Sequence, residues 1–83
     1  MRLLLSREAI RGLRAMPKRD AEALYAKLES LAADPSGAHP FAKAFGGGQG
    51  RVRQGYWRAL YRIDQDLGEL VVSSIAHRRE AYR

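Results

Sequence analysis

The spacing of apolar residues changes character along this chain, from helical before residue 34 to alternating after residue 50. Residues 2–5 read as a short strand that ends at Ser6. Ser6 is a helix N-cap candidate, because its hydroxyl can accept from a backbone N–H two or three residues on. Glu8 follows in the first turn, where the helix dipole favours a negative charge. Ala9, Ile10 and Leu13 keep helical spacing until Met16-Pro17 breaks the run, and Pro17 suits the first position of a second helix. In that second helix Ala21, Leu24, Tyr25, Leu28, Leu31 and Ala32 share one face at about 3.6-residue spacing, with Lys18, Asp20, Lys27 and Glu29 elsewhere. Asp34-Pro35 stops it.

Residues 34–50 form a connector rich in Gly, Pro and Ala, with Phe41 and Phe45 as apolar anchors. Its Gly46-Gly47-Gly48 run lacks the Lys-Ser/Thr that completes a phosphate-binding P-loop, so it reads as a flexible loop before a strand. Arg51-Val52-Arg53 alternates as a half-buried strand does, with both arginines on one face. Gln54-Gly55 is a turn. In the next strand Trp57, Ala59, Tyr61 and Ile63 make the better core face, which leaves Tyr56, Arg58, Leu60 and Arg62 on the other. Residues 64–68 form a hairpin loop before a central-type strand at residues 70–75. The tail from His77 to Arg83 is too short to stand as an independent helix. The order β-α-α-β-β-β, in a single domain over residues 1–83, predicts an α+β fold: a small antiparallel sheet with both helices packed on one face. Arginines would line the open face.

Composition agrees with a single globular unit. Eighty-three residues suffice for one core and no second domain, and 46% hydrophobic with 29% charged content is not that of a disordered chain. The absence of cysteine excludes a disulfide framework, a cysteine-based zinc site and a thiol nucleophile, and it fits a reducing cytoplasm. The apolar run at residues 3–5 is too short for a signal-peptide core or a membrane span, so the expectation is a cytoplasmic protein with no membrane partner.

The formal charge of +6 points to an anionic partner. It is spread evenly, with eight basic against five acidic residues up to residue 50 and seven against four beyond it. Residues 51–62, however, hold four arginines and no acid. Arg51, Arg53 and Arg58 are expected to face the same way on adjacent strands, with Arg62 further along and Arg78 and Arg79 at the end of the last strand. Guanidinium groups are permanently charged, planar and matched to phosphate oxygens. Edged by Tyr56 and Tyr82, whose rings could stack on bases, such a patch would bind a nucleic-acid backbone. A merely solvated strand face remains the alternative at this point. His77 is the natural proton carrier, since imidazole titrates near neutrality and the arginines beside it favour its neutral form. His39 lies in a Pro-flanked loop without comparable neighbours. Asp64 and Asp66 are better read as turn formers than as a metal pair. No metal site and no cofactor are expected.

The string RVRQGYWRALYRID followed by LVVSSIAHRREAYR resembles the RelE/ParE superfamily of bacterial type II toxin–antitoxin toxins. The shared pattern is a basic-x-basic strand, then G-x-Y-R with hydrophobic residues and Y, then a valine-rich strand closing in G-H-R-x-x-x-Y. The leading strand, the P-K-R opening of the second helix and its L..L..DP close extend the resemblance over the whole chain.

The resemblance implies a RelE-like toxin neutralised by a cognate antitoxin in a hetero-oligomeric complex. In the RelE branch it also implies a metal-independent, ribosome-dependent endoribonuclease that cuts mRNA through attack of the 2′-hydroxyl on the adjacent phosphate. Carried over by position, Arg58 and Arg78 would stabilise the phosphate as charge builds on it, Arg51 and Arg53 would position the backbone, and His77 or Tyr82 would carry protons. Tyr56, Arg62 and Arg79 would add RNA contacts. Four positions depart from the pattern. Arginines stand at 51 and 53 where lysines are usual, and arginine cannot give up a proton. Trp57 is inserted before Arg58, and Ala76 replaces the glycine before the histidine. A ParE-type inhibitor of DNA gyrase without nuclease activity, or a non-catalytic binding module, are the alternatives.

Overall fold

The computed structural model describes residues 1–78, so that Arg79 and Tyr82 lie outside the described residues. Strand β1 (Arg2–Leu5) leads into helices α1 (Arg7–Ala15) and α2 (Lys18–Ala33), followed by β2 (Ala42–Gly46), β3 (Gln49–Gln54), β4 (Trp57–Asp64) and β5 (Glu69–His77). The strands form one sheet in the order β1-β5-β4-β3-β2.

The α+β class holds, and two details of the sheet differ from expectation. β1 pairs with β5 in parallel, which makes the sheet mixed rather than wholly antiparallel. The connector also contains a strand, because Ala42 pairs with Val52 and Lys43 with Arg51 along the outer edge of β3. Gly46, Gly47 and Gly48 all take positive φ and turn β2 back into β3, so the glycine run is hairpin geometry. Pro17 sits one place earlier than expected, at the α2 N-cap, while Ser6 caps α1 by accepting from Ala9 N–H at 3.0 Å.

One core lies between helices and sheet. α1 packs on β5, and α2 on β3 and β1. Leu24 and Leu28 of α2 are fully buried with Val52, Ala59, Leu70 and Val72 from three strands. Full burial stabilises each large aliphatic side chain by about 1.5–3 kcal/mol. Leu60 pairs with Ser74 whereas Tyr61 pairs with Val72, which leaves Ser73 as a bulge in β5. That extra residue reverses the alternation, so Ile75 joins Leu70 and Val72 on the buried side. Ser6 Oγ donates to Ser73 O at 2.6 Å and ties the start of α1 to the bulge. α1 can lie so close to β5 only because residue 12 is glycine; a Cβ there would overlap Ile75 O.

Candidate functional site

The candidate site is built where the β3–β4 hairpin closes. Gln54 pairs with Trp57, leaving Gly55 and Tyr56 as the two turn residues. Gly55 has φ of 57°, as the first central position of a type II′ turn requires. One step back from the turn, Arg53 and Arg58 pair across the two strands. Alternation puts Val52 and Ala59 in the core, so these two arginines stand on the face away from it.

Arg58 folds back onto its own turn. Its Nη1 donates to Gly55 O at 3.0 Å and to Trp57 O at 3.2 Å, and the residue is only 9% exposed. Its Nε is buried and has no hydrogen-bond partner among the described residues. A guanidinium so far withdrawn from water is costly unless its donors are satisfied, and neutral carbonyls compensate for the charge only in part. Arg58 makes no ion pair among the described residues.

An open cleft of about 760 Å³ borders it, lined by Lys27, Pro40, Phe41, Arg53, Gly55, Tyr56, Arg58 and Arg78. Arg78 is held at the rim, where its backbone N–H donates to Tyr56 O at 2.5 Å. Tyr56 is 65% exposed and offers its ring to solvent. Four lining residues are cationic, and no described lining residue is a carboxylate, histidine or cysteine. The arrangement can take an anion with several oxygens, bound by N–H donors of fixed charge.

The structure therefore brings together Arg53, Arg58, Arg78 and Tyr56, and separates the other candidates from them. Arg51 pairs with Leu60 on β4 and Lys43 on β2, further along the same face and outside the cleft lining. Arg62 is four residues beyond Arg58, roughly 13 Å along the strand. It borders a separate, smaller pocket with Phe45, Gln49 and Leu60. His77 pairs across from Trp57, on the side of the ladder opposite Arg58. Its ring meets Trp57 edge-on at 5.2 Å and tilts towards Tyr56 at 6.0 Å, and it is not part of the described cleft lining.

Lys27, Pro40 and Phe41 were not among the candidates from sequence. Lys27 falls off the apolar face of α2 and looks like an ordinary surface lysine. Folding brings it to the end of β3, where its Nζ donates to Arg53 O at 3.0 Å and lies 5.7 Å from the centre of the Phe41 ring. Nothing in the local pattern marks that juxtaposition.

The family model for the ParE toxin of type II toxin–antitoxin systems matches residues 3–82. The chain belongs to this toxin family. Among solved structures, this ParE-family chain is similar to the RelBE2 toxin–antitoxin complex of Mycobacterium tuberculosis, at 26% identity and a TM-score of 0.73, over 93% of this chain and 96% of that one. The isolated E. coli RelE toxin matches at 21% identity and a TM-score of 0.75, over 98% and 89% of the two chains. The YoeB/ParE toxin of Agrobacterium tumefaciens matches at 15% identity and a TM-score of 0.75, over 93% and 98%. At these lower identities the likeness is one of fold. No curated protein matches the chain by sequence. Among the described residues no helix is long and apolar enough to cross a membrane.

Proposed function

We propose that this toxin is a ribosome-dependent mRNA endoribonuclease whose scissile phosphate binds in the arginine cleft, and that a cognate antitoxin neutralises it. The observation that carries the reading is Arg58: a nearly buried guanidinium whose Nε has no hydrogen-bond partner among the described residues, bordering a cationic cleft with no lining carboxylate among them. In the proposed reaction the ribose 2′-hydroxyl forms a bond to phosphorus and the bond from phosphorus to O5′ breaks. The 2′-hydroxyl loses its proton and O5′ gains one, leaving a cyclic phosphate and a free 5′-hydroxyl. Negative charge grows on the non-bridging oxygens as phosphorus becomes five-coordinate, and fixed guanidinium groups stabilise that state without reorganising. Arg58 and Arg78 supply this stabilisation, Arg53 holds the neighbouring backbone, and Tyr56 offers a face for an unstacked base. No cofactor enters the scheme.

The antitoxin reading rests on the toxin family and on charge. A protein of net charge +6 attracts an acidic segment, and the RelBE2 relative is itself a toxin–antitoxin complex.

A second reading has a specific observation in its favour, since the matching family model is that of the ParE toxin. In it the same basic cleft would dock on DNA gyrase and no RNA would be cut. Primer extension on transcripts after brief induction, beside an Arg58→Ala/Arg78→Ala variant, separates the two. New 5′ ends within translated messages that vanish in the folded variant support the nuclease. Arrested growth with intact messages and altered plasmid supercoiling supports the gyrase reading and sinks the nuclease.

A further inference from the structure

Among the described residues, Lys27 is the one cleft cation that does not come from the strands or from the residue that follows them. Its helix is fixed by Leu24 and Leu28, both fully buried, so the start of the Lys27 side chain is held by the core. The ammonium lies over the Phe41 ring, 5.7 Å from its centre, and reaches the end of β3, where it donates to the carbonyl of Arg53. An ammonium has three N–H donors. One goes to Arg53 O, and the other two have no protein partner in the hydrogen bonds formed among the described residues. The residue is half-buried and lines the same cleft as Arg53, Arg58 and Arg78.

A lysine that merely tied α2 to β3 would satisfy the Arg53 carbonyl and do nothing else. Two observations go beyond that. The Phe41 ring and the Arg53 carbonyl together confine the ammonium, so the rotamer freedom that a surface lysine loses on binding a ligand has largely been lost already. The ammonium also comes to the cleft from α2, an element other than the strands that carry Arg53 and Arg58.

We propose that Lys27 is a phosphate-contacting residue of the RNA site, binding the strand from the α2 side while Arg53, Arg58 and Arg78 bind it from the sheet. The proposal rests on the RNA reading of the cleft given above. A strand contacted from α2 as well as from the sheet is held at one more phosphate than the arginines alone provide.

The number of phosphates contacted can be read from salt dependence. Each contact adds about 0.7 to the slope of log affinity against log salt for a single strand. The probe is a fluorescent single-stranded RNA oligonucleotide with 2′-O-methyl riboses, which the toxin cannot cleave, followed by anisotropy across a range of salt concentrations. Lys27→Gln keeps an N–H donor for Arg53 O and loses the charge. Its slope falls by about 0.7 while its melting temperature stays that of the unsubstituted protein. Lys27→Arg restores the slope. Lys27→Met, which also loses the donor, shows the same reduced slope whether or not its stability drops. An unchanged slope in folded Lys27→Gln and Lys27→Met overturns the role of Lys27 and leaves the RNA reading intact. Salt-independent or absent binding by the unsubstituted protein overturns phosphate binding by this cleft on free RNA, and the role of Lys27 with it, while primer extension decides the nuclease reading separately.

Discussion

Arg53 and Arg58 stand directly opposite each other on β3 and β4, two guanidinium groups one step from a tight turn. Like charges in a direct cross-strand pair are destabilising by roughly 0.2–1 kcal/mol. This pair is retained without a carboxylate in the cleft lining among the described residues. A fold selected for stability alone would place a neutral or acidic residue at one of the two positions.

Arg58→Met should therefore separate stability from activity. Methionine fills similar volume, removes a buried charge and leaves no Nε without a partner. Replacing buried ionic groups by apolar ones of matched size is often neutral or stabilising by about 1–4 kcal/mol. Thermal unfolding is expected to show an unchanged or raised melting temperature, and induction in a bacterial host to show no growth arrest. A large loss of stability would mean that the bonds to Gly55 O and Trp57 O hold the hairpin together, and that Arg58 is structural.

His77 offers the converse case. Its edge-on contact with Trp57 is an aromatic packing interaction, worth about 0.5–1.5 kcal/mol beyond buried area. His77→Ala should lower the urea midpoint, and His77→Phe should restore most of it. Transcript cleavage is expected to persist in His77→Phe, because the ring lies on the Trp57 side of the ladder. Stable protein without cleavage would return the proton-carrying role to the imidazole.

Gly12→Ala should weaken the α1–β5 contact. Alanine is the better helix former by about 1 kcal/mol, yet its Cβ would overlap Ile75 O, a backbone atom that cannot rotate aside. Overpacking of this kind costs about 1–3 kcal/mol and should outweigh the gain in propensity. Guanidinium unfolding curves would show a lower midpoint, and a raised midpoint would mean that α1 can lift off β5 freely.

Tyr61 predicts a pH dependence at the alkaline end. Burial pushes its phenol above the ordinary value of 10.0. The folded state then keeps the proton at pH values where the unfolded chain releases it, so stability falls as pH rises from 10.0 through the higher folded value. Below 10.0 this contribution is fully present. Across the alkaline range the unsubstituted protein should lose stability more steeply than Tyr61→Phe, as read by denaturant titrations at matched pH. Parallel pH profiles for the two proteins would refute the assignment.

Much of this was legible in the residues themselves. Ser6 marked the start of α1 through a hydroxyl within reach of Ala9 N–H, and Asp34-Pro35 marked the end of α2. Alternation through Trp57, Ala59, Tyr61 and Ile63 identified the core side of β4, and so put Arg53 and Arg58 on the other. These are local matters, decided by periods of two and of about 3.6 residues and by which backbone groups a nearby side chain can satisfy.

Tertiary structure decided the rest. β2 became a strand because β3 offered an unpaired edge to Ala42 and Lys43, a hydrogen-bonding opportunity absent from the local sequence. β1 pairs in parallel with β5, the last strand, while the helices after it lead to β2 at the opposite edge of the sheet, a pairing between the two ends of the chain that no local pattern specifies. The bulge at Ser73 changed which residues of β5 face inward, and pairing with Trp57 took His77 away from Arg58. Lys27 reached the cleft because α2 crosses the end of β3. Sequence by itself determined which groups could bind a phosphate, since charge and donor geometry belong to side chains. Which of them meet in one cleft depended on contacts between residues far apart in the chain, and only packing sets those.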